Sequence, residues 1–354
     1  MDLPLFVLIA VFVAAAVAVW SAGIKLSDTT DVLSTRLGLG EALGGLILLA
    51  IATNLPEIAI VTSAGLAHDL GIAIGNILGG IAIQTVVLVA LDVFGVAGRR
   101  PLTYQAASLG LVLEGGLVVG VLVVAVMGTQ LPRDLHLWRV GPASALITLV
   151  WAVGLWLLGM ARRGLPWHES GDAPDSQDQP RGHSQLTKEH QASEGGVSTA
   201  RAGAVFAVAA VVTLGGGVAL ERAGEGIARH IGMTGVLFGS TILAAATALP
   251  ELSTGLASVR LGDYQLAMSD IFGGNAFLPV LFLVAALLSG RAVLPMAQRT
   301  DIYLTGLGML LTTAYIFGLI FRPSRRVGRM GIDSATVLAL YVVGLGGLVA
   351  IAGH

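Results

Sequence analysis

The segment Ala52-Thr53-Asn54-Leu55-Pro56-Glu57 returns 194 residues later as Ala246-Thr247-Ala248-Leu249-Pro250-Glu251, each time inside a run apolar enough to cross a membrane. A carboxylate beside a helix-breaking proline is expensive in hydrocarbon, so two copies mark a functional site. The offset holds without a gap beyond the glutamates: residues 44–82 against 238–276 give 14 identities in 39 positions, among them Gly45, Leu49, Asp69, Gly79 and Gly80. Shared Thr, Pro, Glu, Asp and paired Gly are not hydrophobic filler. The chain is an internal duplication.

With 55% hydrophobic and 12% charged residues, the composition is that of an integral membrane protein, since soluble domains carry roughly a quarter charged residues. A net charge of −2 names no nucleic-acid partner, and the absence of Cys excludes disulfides and thiolate metal sites. Residues 3–22 lack a basic region before them and a cleavage site after them, so they read as a retained first helix. The expected partners are the lipid bilayer and inorganic cations, with no obligate protein partner and no cofactor.

Spans of about 20 apolar residues cross the hydrocarbon core. Such runs fall at 3–22, 38–67, 70–92, 102–127, 137–161, 202–221, 232–259, 263–289, 300–321 and 333–352. The expected fold is therefore all-α and membrane-integral, with ten transmembrane helices. They divide into halves of five, residues 1–161 and 202–354, around a polar segment at 162–201 that reads as a disordered cytoplasmic linker. Five is odd, so the second half enters the membrane with opposite polarity. That is the inverted-repeat plan of many secondary transporters, with broken helices meeting at the midplane. An outside N-terminus puts 14 of the 20 Lys and Arg residues on the inner side, which predicts a plasma-membrane protein with both termini outside.

Proline at 56 and 250 removes a backbone donor and opens the helix ahead of it. The carbonyls of Ala52, Thr53, Ala246 and Thr247, the hydroxyls of Thr53 and Thr247, and the carboxylates of Glu57 and Glu251 then form a ligand set made only of oxygen. Hard cations take such sets, Ca²⁺ with six to eight oxygens. In the next helix of each half, Asn76 precedes Gly79-Gly80, and Asp270 precedes Gly273-Gly274-Asn275. Paired glycines let backbones approach, and Asn76, Asp270 and Asn275 are placed to face the ion path. The structural alternatives are back-bonding by the threonines and helix packing by the amides and Asp270. Asp69 and Asp263 read as caps of the following helices, and Glu41 as a water-accessible residue near a helix end. Glu114, mid-span and matched by Gly308 in the second half, reads either as a proton-handling group or as a carboxylate paired to a neighbour such as Gln105.

These motifs resemble the calcium/cation antiporter superfamily, in particular the sodium/calcium exchanger membrane region, whose repeats carry G-T-S-x-P-E followed by G-N-x-x-G-S-N. The resemblance covers both halves and implies Glu57, Glu251, Thr53 and Thr247 as ion ligands. It also implies a role for Gln84, at the next polar position. The chain departs from the pattern at Asn54 and Ala248, at Gly80 and Gly274, at Asp270 in place of Asn, and at Leu278, where relatives driven by sodium have an acid. The resemblance implies export of Ca²⁺ in exchange for Na⁺ by alternating access. The departures leave a Ca²⁺/H⁺ antiporter of the same architecture open, and a channel suits the duplication less well. A membrane-embedded enzyme is the remaining class, but all seven histidines lie in loops or at chain ends and no intramembrane nucleophile and base are paired.

Overall fold

The computed structural model describes residues 3–36, 50–68, 70–96, 100–135, 139–161, 164–167, 198–233 and 238–352. The linker core at 168–197, the first part of the 38–67 span with Glu41, Asp69, and five of the histidines lie outside the described residues.

The described chain is almost entirely helical. The first half contains α1 (Leu5–Arg36), α2 (Leu55–Ala67), α3 (Leu70–Phe94), α4 (Leu102–Ala106), α5 (Leu109–Thr129) and α6 (Pro142–Ala161). The second contains α7 (Thr199–His230), a π-helical turn (Gly239–Leu243), α8 (Ala244–Thr247), α9 (Leu249–Leu261), α10 (Tyr264–Phe277), α11 (Leu281–Ser289), α12 (Arg299–Phe321) and α13 (Ile332–Ala352). A two-residue hairpin, β1 (Arg326–Val327) with β2 (Met330–Gly331), joins the last two helices. Eight helices are long and apolar enough to cross a membrane, and a ninth span is formed if the bent pair Gly239–Thr247 and Leu249–Arg260 is one crossing.

Two spans read as continuous are interrupted. The 102–127 run breaks at Ala107-Ser108, where the Ser108 hydroxyl accepts the Leu111 N–H at 3.2 Å and starts α5 as a helix cap. The 263–289 run passes through a 3₁₀ turn at Leu278–Val280, set by Pro279, which has no N–H to continue α10. Asp263 caps α10 as expected, accepting from Leu266 N–H at 2.9 Å.

Burial sorts the helices by role. α1, α6, α7 and α13 turn large apolar side chains outward, with Phe6, Val17, Trp156, Val208, Val211 and Val343 all more than half exposed. In a bilayer those faces meet lipid. The α3 helix and the α10–α11 segment are the most buried, with Ile74, Ile77, Leu88, Phe272 and Phe282 fully enclosed in one apolar cluster. The packing crosses between halves. α1 lies against α7 and α9, while α7 lies against α1 and α2, so the first helix of each half covers the proline-broken helix of the other.

At one end of α3 the buried Asp92 ties distant loops together. Its Oδ1 accepts Leu102 N–H at 2.9 Å and its Oδ2 accepts Gly331 N–H at 2.6 Å. A carboxylate satisfied by two backbone donors is tolerated in an interior where an unpaired one is not.

Candidate cation site

Both proline breaks place a glutamate in the first turn of a half-helix. Ahead of α2, residues 50–53 are helical and Asn54 interrupts, and Glu57 follows Pro56 in the first turn of α2. In the second half, α8 and α9 meet at Ala248 with a bend of 49°, and Glu251 occupies the matching place. The unsatisfied N–H groups and dipole at such helix starts favour a carboxylate. Glu57 and Glu251 are both fully buried, as are Thr53 and Thr247.

The threonines reach across the halves. The Thr247 hydroxyl lies near the Glu57 carboxyl, without a hydrogen bond to it, and the Thr53 hydroxyl lies near that of Glu251. Each also stands within reach of the carbonyl three residues back, Thr53 to Ala50 O at 3.3 Å and Thr247 to Ala244 O at 3.2 Å. For Thr247 back-bonding and a ligand role are compatible, because a hydroxyl that donates its proton to a carbonyl turns lone pairs towards a cation; the single Thr53 proton has two acceptors in reach, Ala50 O at 3.3 Å and Asp270 Oδ1 at 3.5 Å.

The third acid is Asp270, 2% exposed on α10. Its Oδ2 accepts from Thr254 at 2.8 Å and its Oδ1 from Thr53 at 3.5 Å. Glu251 stands within electrostatic reach of both Glu57 and Asp270. Sequence reasoning missed Thr254, one turn beyond Glu251; the signal was a hydroxyl residue at the spacing that returns to the same helix face.

The two glutamates are not equivalent. The Gln84 amide donates to Glu251 Oε1 at 3.2 Å and to Asn54 Oδ1 at 3.1 Å, whereas neither oxygen of Glu57 has a hydrogen-bond partner. Asn54 itself donates to Ala50 O at 2.7 Å, covering the carbonyl ahead of the break. This amide pair fits because residue 274 is glycine: a Cβ there would stand 2.8 Å from Asn54 Nδ2. Gly79 does a similar service for α3, where a Cβ would meet Ser240 Cα of the π-helical turn at 2.8 Å.

Asn275 donates to Thr85 at 3.1 Å, and its Oδ1 is left without a partner, as are both polar atoms of Asn76. In all, six buried side-chain oxygens are unpartnered at the expected residues: two of Glu57, Oε2 of Glu251, Oε1 of Gln84, and one each of Asn76 and Asn275. Buried polar atoms are almost always satisfied, and three of these six belong to the glutamates at the breaks, with Gln84 bonded to Glu251 beside them. Among the described residues no three His, Cys, Asp or Glu side chains gather closely enough to hold one metal ion alone. A cation bound to the glutamates therefore draws its other ligands from amides, hydroxyls and the carbonyls at the breaks.

Glu114 pairs elsewhere than its sequence neighbours suggested. Its Oε2 accepts from Ser269 on α10 at 2.5 Å, while Gln105 donates to Arg100 O at 3.2 Å. Leu278 is fully buried and supplies no ligand.

Helices broken by proline beneath crossed outer helices, with oxygen-lined acids at the breaks, define a membrane-embedded cation transporter. The sequence pattern of the family described as "Sodium/calcium exchanger protein" matches residues 7–160 and 202–349, and the chain belongs to that family of cation antiporters. Among curated relatives, the inner membrane protein YrbG of Escherichia coli K12 is 28% identical over 86% of this chain and 86% of its own. The putative antiporter CaxA of Alkalimonas amylolytica is 27% identical over 75% of this chain and 76% of its own. The fold is that of solved exchangers. The H⁺/Ca²⁺ exchanger CAX superposes with a TM-score of 0.62 at 15% identity, covering 96% of this chain and 88% of its own. The sodium-calcium exchanger NCX_Mj gives 0.61 at 14% identity, covering 97% and 98%.

Proposed function

We propose that this chain exports Ca²⁺ across the plasma membrane in exchange for Na⁺ by alternating access. The observation that carries the proposal is the pair of fully buried glutamates at two half-helix starts, with three unpartnered oxygens between them and Gln84 bonded to the fourth. Glu57, Glu251, Thr53 and Thr247 bind the ion; Asp270, Asn76, Asn275 and Gln84 complete its surroundings. The counter-ion competes for the same carboxylates, so the two ions occupy the site in turn and not together.

The architecture we propose is ten transmembrane helices in two inverted halves, 1–161 and 202–354, with the 162–201 linker in the cytoplasm and both termini outside. It is supported by reciprocal placement at the 194-residue offset: Thr53 lies near Glu251 as Thr247 lies near Glu57. The distribution of Lys and Arg supports the orientation.

A proton-driven Ca²⁺ antiporter is the second reading. Leu278 leaves an apolar residue at one site position, while Asp270 adds a carboxyl held by Thr254 and Thr53. Exchange of one Ca²⁺ for two protons needs no more than the two glutamates.

Purified protein in liposomes is to be tested for Ca²⁺ uptake under an imposed Na⁺ gradient and then a pH gradient, with Glu57→Gln as the blank. Uptake driven by Na⁺ supports the first reading, and uptake driven only by pH supports the second. Wild-type flux in both Glu57→Gln and Glu251→Gln refutes the site.

A further inference from the structure

Two glycines bear directly on the two site prolines. A Cβ at Gly23 of α1 would lie 2.9 Å from Pro250 Cα, and a Cβ at Gly217 of α7 would lie 2.8 Å from Pro56 Cα and 2.9 Å from Pro56 O. Glycines and prolines alike are related by the 194-residue offset. The same contact is thus made twice, each time between the first helix of one half and the helix break of the other. Neither contact leaves room for the smallest side chain, because the opposing atoms are backbone and cannot swing away.

We propose that Gly23 and Gly217 are positioning residues for exchange, through which the motion of each outer helix is coupled to the opposite ion-binding break. Pro250 precedes Glu251 and Pro56 precedes Glu57. Backbone seated on backbone leaves no side-chain slack at either contact, so α1 cannot shift against the start of α9, nor α7 against the start of α2, without changing that seat. The outer helices are the parts free to respond. α1 and α7 are each only 22% buried along their apolar windows, whereas the breaks are packed against the enclosed α3. An added methyl therefore displaces the outer helix into lipid and leaves the site's oxygens in place. The proposal rests on the antiport function proposed above and adds to it where the moving and binding parts touch.

The test compares wild type with Gly23→Ala, Gly217→Ala and Gly215→Ala, the last at a glycine of the same α7 where an added Cβ would meet nothing within 4 Å. Each is assayed for Ca²⁺ exchange in liposomes and for equilibrium binding of radiolabelled Ca²⁺ in detergent. Gly23→Ala and Gly217→Ala are expected to lower turnover by about tenfold or more, the scale of an overpacked contact, with Ca²⁺ binding within about threefold of wild type. Gly215→Ala is expected to match wild type in both. Wild-type turnover in the first two variants, or binding lost in step with turnover, overturns the proposal and leaves the antiport function standing. A wild-type protein that exchanges no cation refutes the function and this coupling with it. A second measurement does not depend on the alanine chains folding. The chain has no cysteine, and Lys25, two residues beyond Gly23, has a side chain 62% exposed. In Lys25→Cys, added Ca²⁺ is expected to change the alkylation rate at least about threefold, since site occupancy moves α1; an unchanged rate overturns the coupling.

Discussion

Gly274→Ala is expected to cripple the site through Asn54, not through any contact with the ion. The new Cβ would stand 2.8 Å from Asn54 Nδ2 and 3.7 Å from Gln84 Oε1. Ordinary contact distance requires the Asn54 amide to retreat by roughly 0.6–1 Å. A retreat along these bonds stretches the 3.1 Å bond from Gln84 past useful hydrogen-bond length and weakens the 2.7 Å bond to Ala50 O. Overpacking of about 1–3 kcal/mol and about 0.5–1.5 kcal/mol for a lost bond add to a destabilisation of about 1.5–4.5 kcal/mol. Asn54→Ser withdraws the amide, so the clash vanishes in the double variant and the cost falls to that of the lost bonds. The single and double variants with wild type make a cycle whose coupling is expected at about 1–3 kcal/mol. Denaturation midpoints and Ca²⁺ affinity are the measurements, a coupling of about 1.4 kcal/mol being tenfold in affinity. Effects that add within about 0.5 kcal/mol, or a Gly274→Ala protein indistinguishable from wild type, refute the packing argument.

Gln84→Leu removes the donor on Glu251 and leaves both of its oxygens unpartnered; Ca²⁺ affinity measured by calorimetry is expected to change by about 10- to 100-fold, the scale of a hydrogen bond to a charged group. Ser269→Ala takes away the hydroxyl that Glu114 accepts at 2.5 Å and is expected to cost about 1–3 kcal/mol in thermal stability, with Ser269→Thr restoring most of it. Asp92→Asn turns one of two acceptors into an N–H facing a backbone N–H, so about 1–3 kcal/mol of stability should be lost while Ca²⁺ affinity stays near wild type. A drop in affinity without a drop in melting temperature would contradict the structural role given to Asp92.

The breaks were legible because a Pro-Glu pair inside an apolar run has few satisfactory conformations, and its repetition removed coincidence. The side chains around them were harder to read, since each partner depends on how helices distant in sequence meet. Ser269 lies 155 residues from Glu114, and the Gly331 N–H lies 239 residues from Asp92; no local pattern announces either. Gln84 capping Glu251 alone arises from departures that break the repeat, Asn54 against Ala248 and Gln84 against Leu278. Other misses had local signals. Ser108 and Pro279 mark the interruptions of two spans taken as continuous, and Gly23 and Gly217 obey the 194-residue offset but are hard to pick out among 48 glycines.

The charge balance of the candidate site bears on how the proposed antiport would avoid leaking one ion. Glu57, Glu251 and Asp270 are each at most 2% exposed, and among the described residues no Lys, Arg or His forms an ion pair with them. If the acids ionise, two half-helix dipoles and a few hydroxyl and amide donors soften the negative charge, but they do not cancel it. In the antiport cycle proposed above, closing the site with the acids ionised and no cation bound would enclose uncompensated charge in a low-dielectric interior, which is costly beside either loaded form. Only a cation or protons can neutralise the site, so the return stroke requires a counter-ion. On the proposed reading, coupling would rest on the lack of a basic partner among the described residues, and Gln84, which holds one oxygen of Glu251 and none of Glu57, makes the two glutamates unequal.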